Sequence, residues 1–251
     1  MTVAAESAAA LPPVCVLVGG RGTRLGSLTE TMPKPMVMVA GRPFIDWVLL
    51  RLSAEGFTRV VMCLGYRGDV LARHVGDGDR FGVSVAYSWD GPAPAGTMGA
   101  IRQALPLLTD PVPVLFGDTF LESGLARVVA HHRQSACPAT MSVLRNSGRW
   151  DTSNALVADG MVIQYSKSPP PNAEWIDYGF SVLDRHVVAS SSASDLGVVM
   201  EDLSARGRLS ACCVTEPFYE IGTPAGRERT EMHLAATSAL TPGPHPDQAS
   251  R

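Results

Sequence analysis

Apolar residues along this chain come first in short unbroken runs and, beyond Cys137, in alternating ones. Val14 to Val18 is apolar throughout and stops at Gly19-Gly20, the pattern of a strand buried on both faces that ends in a ligand-facing loop. Phe44, Val48, Leu49 and Leu52 recur at helical spacing, and Val60 to Leu64 is a second apolar strand closed by Gly65, so the first unit predicts βαβ. The alternation continues with strands over Val83 to Tyr87 and Val112 to Phe116 and helices over Gly99 to Leu108 and Leu125 to Arg133. Such regular alternation specifies a doubly wound α/β sheet.

The later runs, Thr140 to Leu144, Ala155 to Val157, Met161 to Tyr165 and Ile176 to Leu183, predict antiparallel or mixed strands. A helix over Leu196 to Ala205, a strand over Leu209 to Val214 and a helix over Ala225 to Ala236 follow, the last introduced by Thr223-Pro224, where proline suits a first helical position. Residues 1–12 and 237–251 show no apolar period, and the second contains three prolines, so both are expected to be disordered. The folded unit is then one domain over 13–236, with a half over about 13–136 and a smaller β-rich half over about 137–236.

With 251 residues, 45% hydrophobic and 18% charged, the chain is large enough to bury a substantial core, which excludes a disordered or fibrous protein. A net charge of −3 and the lack of a dense Lys/Arg cluster argue against a nucleic-acid partner. No segment reads as a signal peptide or a membrane span, so a cytoplasmic location without a membrane partner is expected. Five cysteines without CxxC spacing argue against a disulfide framework, and six histidines without HExxH spacing argue against zinc. An exposed aromatic such as Trp47 or Trp89 would be the place for a homo-oligomer contact.

The chemistry concentrates in Gly19-Gly20-Arg21-Gly22-Thr23-Arg24-Leu25, directly after the first strand. Glycines there let backbone N–H groups approach phosphate oxygens. A Walker loop is absent, and a dinucleotide fingerprint would need a helix where Pro33 and Pro35 stand, each costing about 3 kcal/mol in a helix interior. Lys34, between those prolines, is expected on an extended backbone that holds its ammonium at one reach. GGxGTRL followed by PKPM, over Gly19 to Met36, resembles the signature of the sugar-1-phosphate nucleotidylyltransferases, and the landmarks are similar to that family's over most of residues 14–235.

The resemblance implies that family's fold, a Rossmann-like mixed sheet of the nucleotide-diphospho-sugar transferase type with a smaller acceptor-binding β region, and a magnesium-dependent transferase. Gly96-Thr97-Met98-Gly99-Ala100 resembles its GTAGA loop, Phe116-Gly117-Asp118 its GD motif and Tyr219-Glu220-Ile221-Gly222-Thr223-Pro224 its DxGTP element. Carried over residue by residue, this makes Arg24, Lys34, Asp118 and Lys167 catalytic. Gly19, Gly20, Arg21, Gly22, Thr23, Gly96 and Thr97 become nucleotide-binding, and Asp118 with Glu220, in place of the usual Asp, would hold Mg²⁺.

On the same resemblance the acceptor contacts are Gly99, Ser166, Lys167, Asp177 and Tyr178, but Ser166-Lys167 stands where the family has Glu-Lys, and Ile176-Asp177-Tyr178-Gly179 where it has INAG. The acidic residue expected before the GTAGA loop is replaced by Ala93-Pro94, with Asp90 nearby, and the polar cluster Arg149 to Asn154 is unassigned. The expected substrates are a nucleoside triphosphate and a sugar 1-phosphate, with GTP and heptose or mannose 1-phosphate favoured. CTP or UTP with another phosphorylated acceptor, and a non-catalytic nucleotide-sugar-binding subunit, are the alternatives.

Overall fold

A computed structural model describes residues 10–22, 26, 29–91, 93–146, 149–168, 170 and 172–240. The first half runs β1 (Val14–Leu17), β2 (Met38–Val39), β3 (Arg42–Pro43), α1 (Phe44–Ala54), β4 (Arg59–Leu64), α2 (Gly68–Val75), β5 (Ser84–Trp89), α3 (Gly96–Ala104), β6 (Val112–Phe116), β7 (Thr119–Leu121) and α4 (Leu125–Gln134). The second runs β8 (Ala139–Arg145), β9 (Ala155–Ala158), β10 (Met161–Tyr165), β11 (Trp175–Leu183), α5 (Arg185–Ser190), α6 (Leu196–Ala205), β12 (Leu209–Val214), β13 (Phe218–Glu220) and α7 (Pro224–Leu240). Among the described residues, no helix is long and apolar enough to cross a membrane.

A nine-stranded mixed sheet has the order β5-β4-β1-β6-β11-β8-β12-β10-β9. β5, β4, β1 and β6 are mutually parallel, whereas β11 runs antiparallel to both β6 and β8. Side chains alternate between two apolar layers. Val14 and Val16 join Phe44, Leu49 and Val129 on one face. Cys15 joins Met98, Ile101 and Met200 on the other. A strand covered on both faces has no polar position to offer, which is why β1 is apolar at every residue.

Several expected boundaries move. α3 begins at Gly96 and ends at Ala104, where Pro106 turns the chain into a single 3₁₀ turn. α2, α5 and the β7–β13 ribbon, all short elements, were not expected. Residues 10–12 are not disordered: Leu11 packs on the core, Pro12 is buried, and the Ala10 carbonyl accepts a bond from Arg133. At the other end α7 continues through residues 237–240, where the Thr237 hydroxyl bonds the His233 carbonyl one turn back. Trp47 is not a free surface aromatic, since its indole N–H donates to the Val39 carbonyl at 2.9 Å and Arg42 lies 4.7 Å from its ring centre.

Gly117, just beyond β6, sits where a Cβ would come within 2.3 Å of Val18 Cγ1 and 2.9 Å of the Leu17 carbonyl oxygen. Gly117→Ala is expected to cost about 1–3 kcal/mol of stability through overpacking, measurable as a lower urea midpoint with an unchanged m-value. An unaltered midpoint would show that the two strand ends separate freely.

Candidate active site

Parallel strands deliver their carboxyl ends to one edge of the sheet, and an open α/β sheet binds ligands at that edge. Here Gly19 and Gly20 follow β1, Asp90 follows β5, and Gly117 and Asp118 follow β6, all lining one cleft. Lys34 and Pro35 close it on one side, and Gly96, Thr97 and Ala100 of α3 on the other.

Lys34 opens a 3₁₀ turn over Lys34–Met36, not the extended segment expected; only Pro33 is extended, at φ −67° and ψ 145°. Bonds from Met36 N–H to the Pro33 carbonyl and from Val37 N–H to the Lys34 carbonyl close the turn. Gly22, at φ +66°, passes within 3.0–3.2 Å of the lysine stem measured from an ideal Cβ, so only glycine lets the loop cover it. The Lys34 side chain is 9% exposed, and its ammonium donates to Asp118 Oδ2 at 2.6 Å. A cation this far from water needs a counter-charge, and the strand end supplies it.

The glycine loop is fixed by Thr29, whose hydroxyl donates to the Gly22 carbonyl at 3.0 Å. Arg21 is exposed and stands 5.3 Å from the centre of the Tyr66 ring, outside the cleft wall. Thr23 and Arg24, assigned to the nucleotide phosphates, lie outside the described residues. Asp90 faces the cleft; burial raises its carboxyl above the usual range, and the Ala95 N–H at 3.5 Å opposes that shift. Gly99 lies within α3 behind the cleft-lining residues, so it supports the helix without reaching the cavity.

Glu220 does not stand free as a metal carboxylate. Its Oε2 accepts the N–H groups of Gly222 and Thr223, and its Oε1 accepts the Thr223 hydroxyl at 2.7 Å. Thr223 Oγ1 in turn accepts the Gly226 N–H at 3.0 Å, so the carboxylate completes the N-terminal cap of α7, where negative charge is favoured. Its backbone is nevertheless adjacent to Asp118, whose carbonyl accepts the Ile221 N–H at 3.0 Å. Among the described residues, no cluster of three or more His, Cys, Asp or Glu side chains is arranged for a metal. Asp118, a hard oxygen donor at a strand end facing the cleft, suits a magnesium ion that takes its other ligands from phosphates and water.

The expected acceptor residues separate. Tyr178 is 1% exposed within the apolar core, its hydroxyl donating to the Pro217 carbonyl at 3.0 Å, so it does not contact an acceptor. Neighbours on a strand point to opposite faces, and Tyr178 takes the inward one. Asp177 accepts the Gly179 N–H at 2.9 Å and the Tyr165 hydroxyl at 3.4 Å. Ser166 Oγ accepts the Ser168 N–H at 3.2 Å. Lys167 is bonded to Asp195, a residue marked in the sequence only by its place before a helix. In the Arg149 to Asn154 cluster, the buried Asn146 accepts the Trp150 N–H and donates to Ser153, and Trp150 packs edge-on against Tyr219 at 6.5 Å.

Residues 14–156 match the family model described as Nucleotidyl transferase. The chain is 45% identical over 111 residues to an N-acetylmuramate alpha-1-phosphate uridylyltransferase from Neisseria meningitidis, covering 43% of this chain and 47% of that protein. It is 31% identical over 176 residues to a mannose-1-phosphate guanylyltransferase from Mycobacterium tuberculosis, covering 69% of this chain and 49% of the relative. This chain thus spans about half the length of those two relatives. A D-glycero-alpha-D-manno-heptose 1-phosphate guanylyltransferase from Campylobacter jejuni is 26% identical over 212 residues, covering 83% of this chain and 94% of that protein. HddC from Yersinia pseudotuberculosis, complexed with GMP-PN, shares the fold with a TM-score of 0.76 at 22% identity, covering 89% of this chain and 100% of that one.

Burial pushes the Asp177 carboxyl up from 3.8 to about 6, against the opposing pull of the Gly179 N–H and the Tyr165 hydroxyl. A carboxyl raised on folding binds its proton more tightly in the native state, so the charge destabilises the fold progressively from about pH 4 to 6 and fully above that. Asp177→Asn should therefore gain stability over the native chain as pH rises through this window. Urea unfolding at pH 4.5 and pH 8 tests it; a stability gap equal at the two pH values would place the carboxylate in solvent.

Proposed function

Because the chain belongs to the nucleotidyl transferase family, we propose that it is a sugar-1-phosphate nucleotidylyltransferase, joining a nucleoside triphosphate to a sugar 1-phosphate with release of pyrophosphate. The observation that carries this reading is the Lys34–Asp118 pair, 2.6 Å apart, set in one cleft with the Gly19-Gly20 loop and the Gly96-Thr97 turn. The acceptor phosphate oxygen forms the new bond to the α-phosphorus, and the α–β bridging oxygen leaves with its electron pair on pyrophosphate. Since the nucleophile is already an anion, no general base is required, and the protein's work is positioning and charge stabilisation.

In this reading Lys34 holds the α-phosphate, Arg24 the β and γ phosphates and Lys167 the acceptor phosphate, with the amides of Gly19, Gly20 and Gly22 completing the cradle. Asp118 is the anchoring carboxylate for magnesium, which supplies charge neutralisation between the two polyanions when bound. Glu220 fixes the α7 end beside Asp118.

GTP with heptose or mannose 1-phosphate is the favoured pair. Asp90, a carboxylate on the cleft wall just beyond β5, can accept two N–H donors from one base edge, and guanine presents such a pair where uracil presents a single N–H. Extended similarity to the Campylobacter guanylyltransferase supports the same choice. UTP is the second reading, favoured by the 45% identity to the Neisseria uridylyltransferase.

Pyrophosphate release with Mg²⁺, across the ribonucleoside triphosphates and dTTP against a panel of sugar 1-phosphates, tests the reaction; no productive pair would reduce the protein to a nucleotide binder. Asp118→Asn should lower kcat by roughly 10²-fold or more, assayed where the variant is fully folded, and it should also lower the unfolding midpoint because it removes the counter-charge of the buried Lys34 ammonium. Asp90→Asn should cut the preference for GTP over UTP by about 10-fold or more in kcat/KM. An unchanged ratio would remove Asp90 from base recognition.

A further inference from the structure

Lys167 has a side chain 64% exposed, and an exposed lysine ordinarily samples many rotamers. Here two features hold it. Its ammonium bonds Asp195 Oδ2, and its stem lies over Gly197, where a Cβ would come within 2.7 Å of Cε and 3.4 Å of Nζ. Asp195 is itself held: its Oδ1 accepts the Gly197 N–H at 2.7 Å as the N-cap of α6. Partial burial raises the Asp195 carboxyl, but the bonds from Lys167 and Gly197 and the Thr97 hydroxyl outweigh it and leave the group below its ordinary value.

The same short segment is fastened to the cleft. Leu196 N–H donates to Thr97 Oγ1 at 2.7 Å, Met98 N–H donates to the Ser194 carbonyl at 2.9 Å, and Arg102 donates to the Ala193 carbonyl at 3.2 Å. Thr97 lines the cleft, whereas Lys167 lies outside its wall. Asp195 therefore bonds the acceptor lysine from within a segment whose flanking residues, Ser194 and Leu196, are bonded to the turn that opens α3.

We propose that Asp195 is a positioning residue that holds the Lys167 ammonium in register with the Gly96-Thr97 turn, so that the two substrates' phosphates are brought to one geometry. This rests on Lys167 being the acceptor-phosphate cation, as above. A carboxylate and an acceptor phosphate can share the ammonium because it has three donors. Asp195 pays in advance the rotamer entropy that binding would otherwise cost.

Asp195→Asn separates this role from a structural one, because asparagine caps a helix about as well as aspartate but carries no charge for Lys167. The variant should keep its unfolding midpoint and its KM for the triphosphate while the acceptor KM rises about 3–10-fold. In a Lys167→Ala background the same substitution should leave the acceptor KM unmoved. Gly197→Ala, which displaces the lysine stem, should reproduce the acceptor defect. Independently of turnover, Lys167 in Asp195→Asn should be acylated several-fold faster by an N-hydroxysuccinimide ester, read by peptide mass spectrometry. An acceptor KM equal to that of the native chain, or an equal increase in both Lys167 backgrounds, overturns the proposal. Should the native chain turn over no substrate pair, the proposed reaction fails by itself, and the acylation rate still decides whether Asp195 holds Lys167: equal rates refute it.

Discussion

A lysine ammonium almost removed from water stays charged only if an anion lies against it, and in this protein that anion is a carboxylate 84 residues further along the chain. The Lys34–Asp118 bond therefore does more than pair two charges. It ties the segment after the glycine loop to the end of β6, and so decides where the loop lies over the sheet. Gly22 fits against the lysine stem, Gly117 fits against the end of β1, and neither position has room for a side chain. In the proposed reaction, a phosphate entering the cleft would meet a cation already desolvated and oriented, the arrangement that makes electrostatic stabilisation effective.

The second half of the sheet works differently. Its candidate residues are held from the side, by caps and turns, and not by a converging set of strand ends. Glu220 completes the α7 cap, Asp195 completes the α6 cap, and Asn146 holds the turn that carries Trp150. Helix N-termini need acceptors for their free N–H groups, and this fold places two such carboxylates beside residues of the candidate site. The acceptor region can thus change its side chains while the caps keep its walls in place.

Much of the architecture follows from one-dimensional pattern. Unbroken apolar runs at Val14, Val60 and Val112 could only be strands covered on both faces, and the helical spacing of Phe44, Val48, Leu49 and Leu52 left little alternative for α1. The cleft residues Gly19 and Gly20 were also legible, because glycines after an apolar strand carry a local geometric meaning, whereas Lys34, Gly96, Thr97 and Asp118 were marked by their resemblance to family motifs. Tyr178 was misplaced, although the pattern contained the warning: it adjoins Asp177, and two successive strand residues cannot face one ligand. A register shift in the β11–β8 pairing between Asp177 and Ser181 then disguised which of them turns inward.

The sequence alone determined the parallel half of the α/β sheet and the glycine-bearing turn that lines the candidate cleft after β1, since hydrophobic period and glycine placement are properties of neighbouring positions. Tertiary structure decided who partners whom. Glu220 as a cap, Asp195 as the holder of Lys167, and the β7–β13 ribbon that brings Ile221 to Asp118 all depend on segments distant in sequence arriving at one place. Hydrogen bonds and ion pairs act over about 3 Å, and only the folded chain sets which groups come that close.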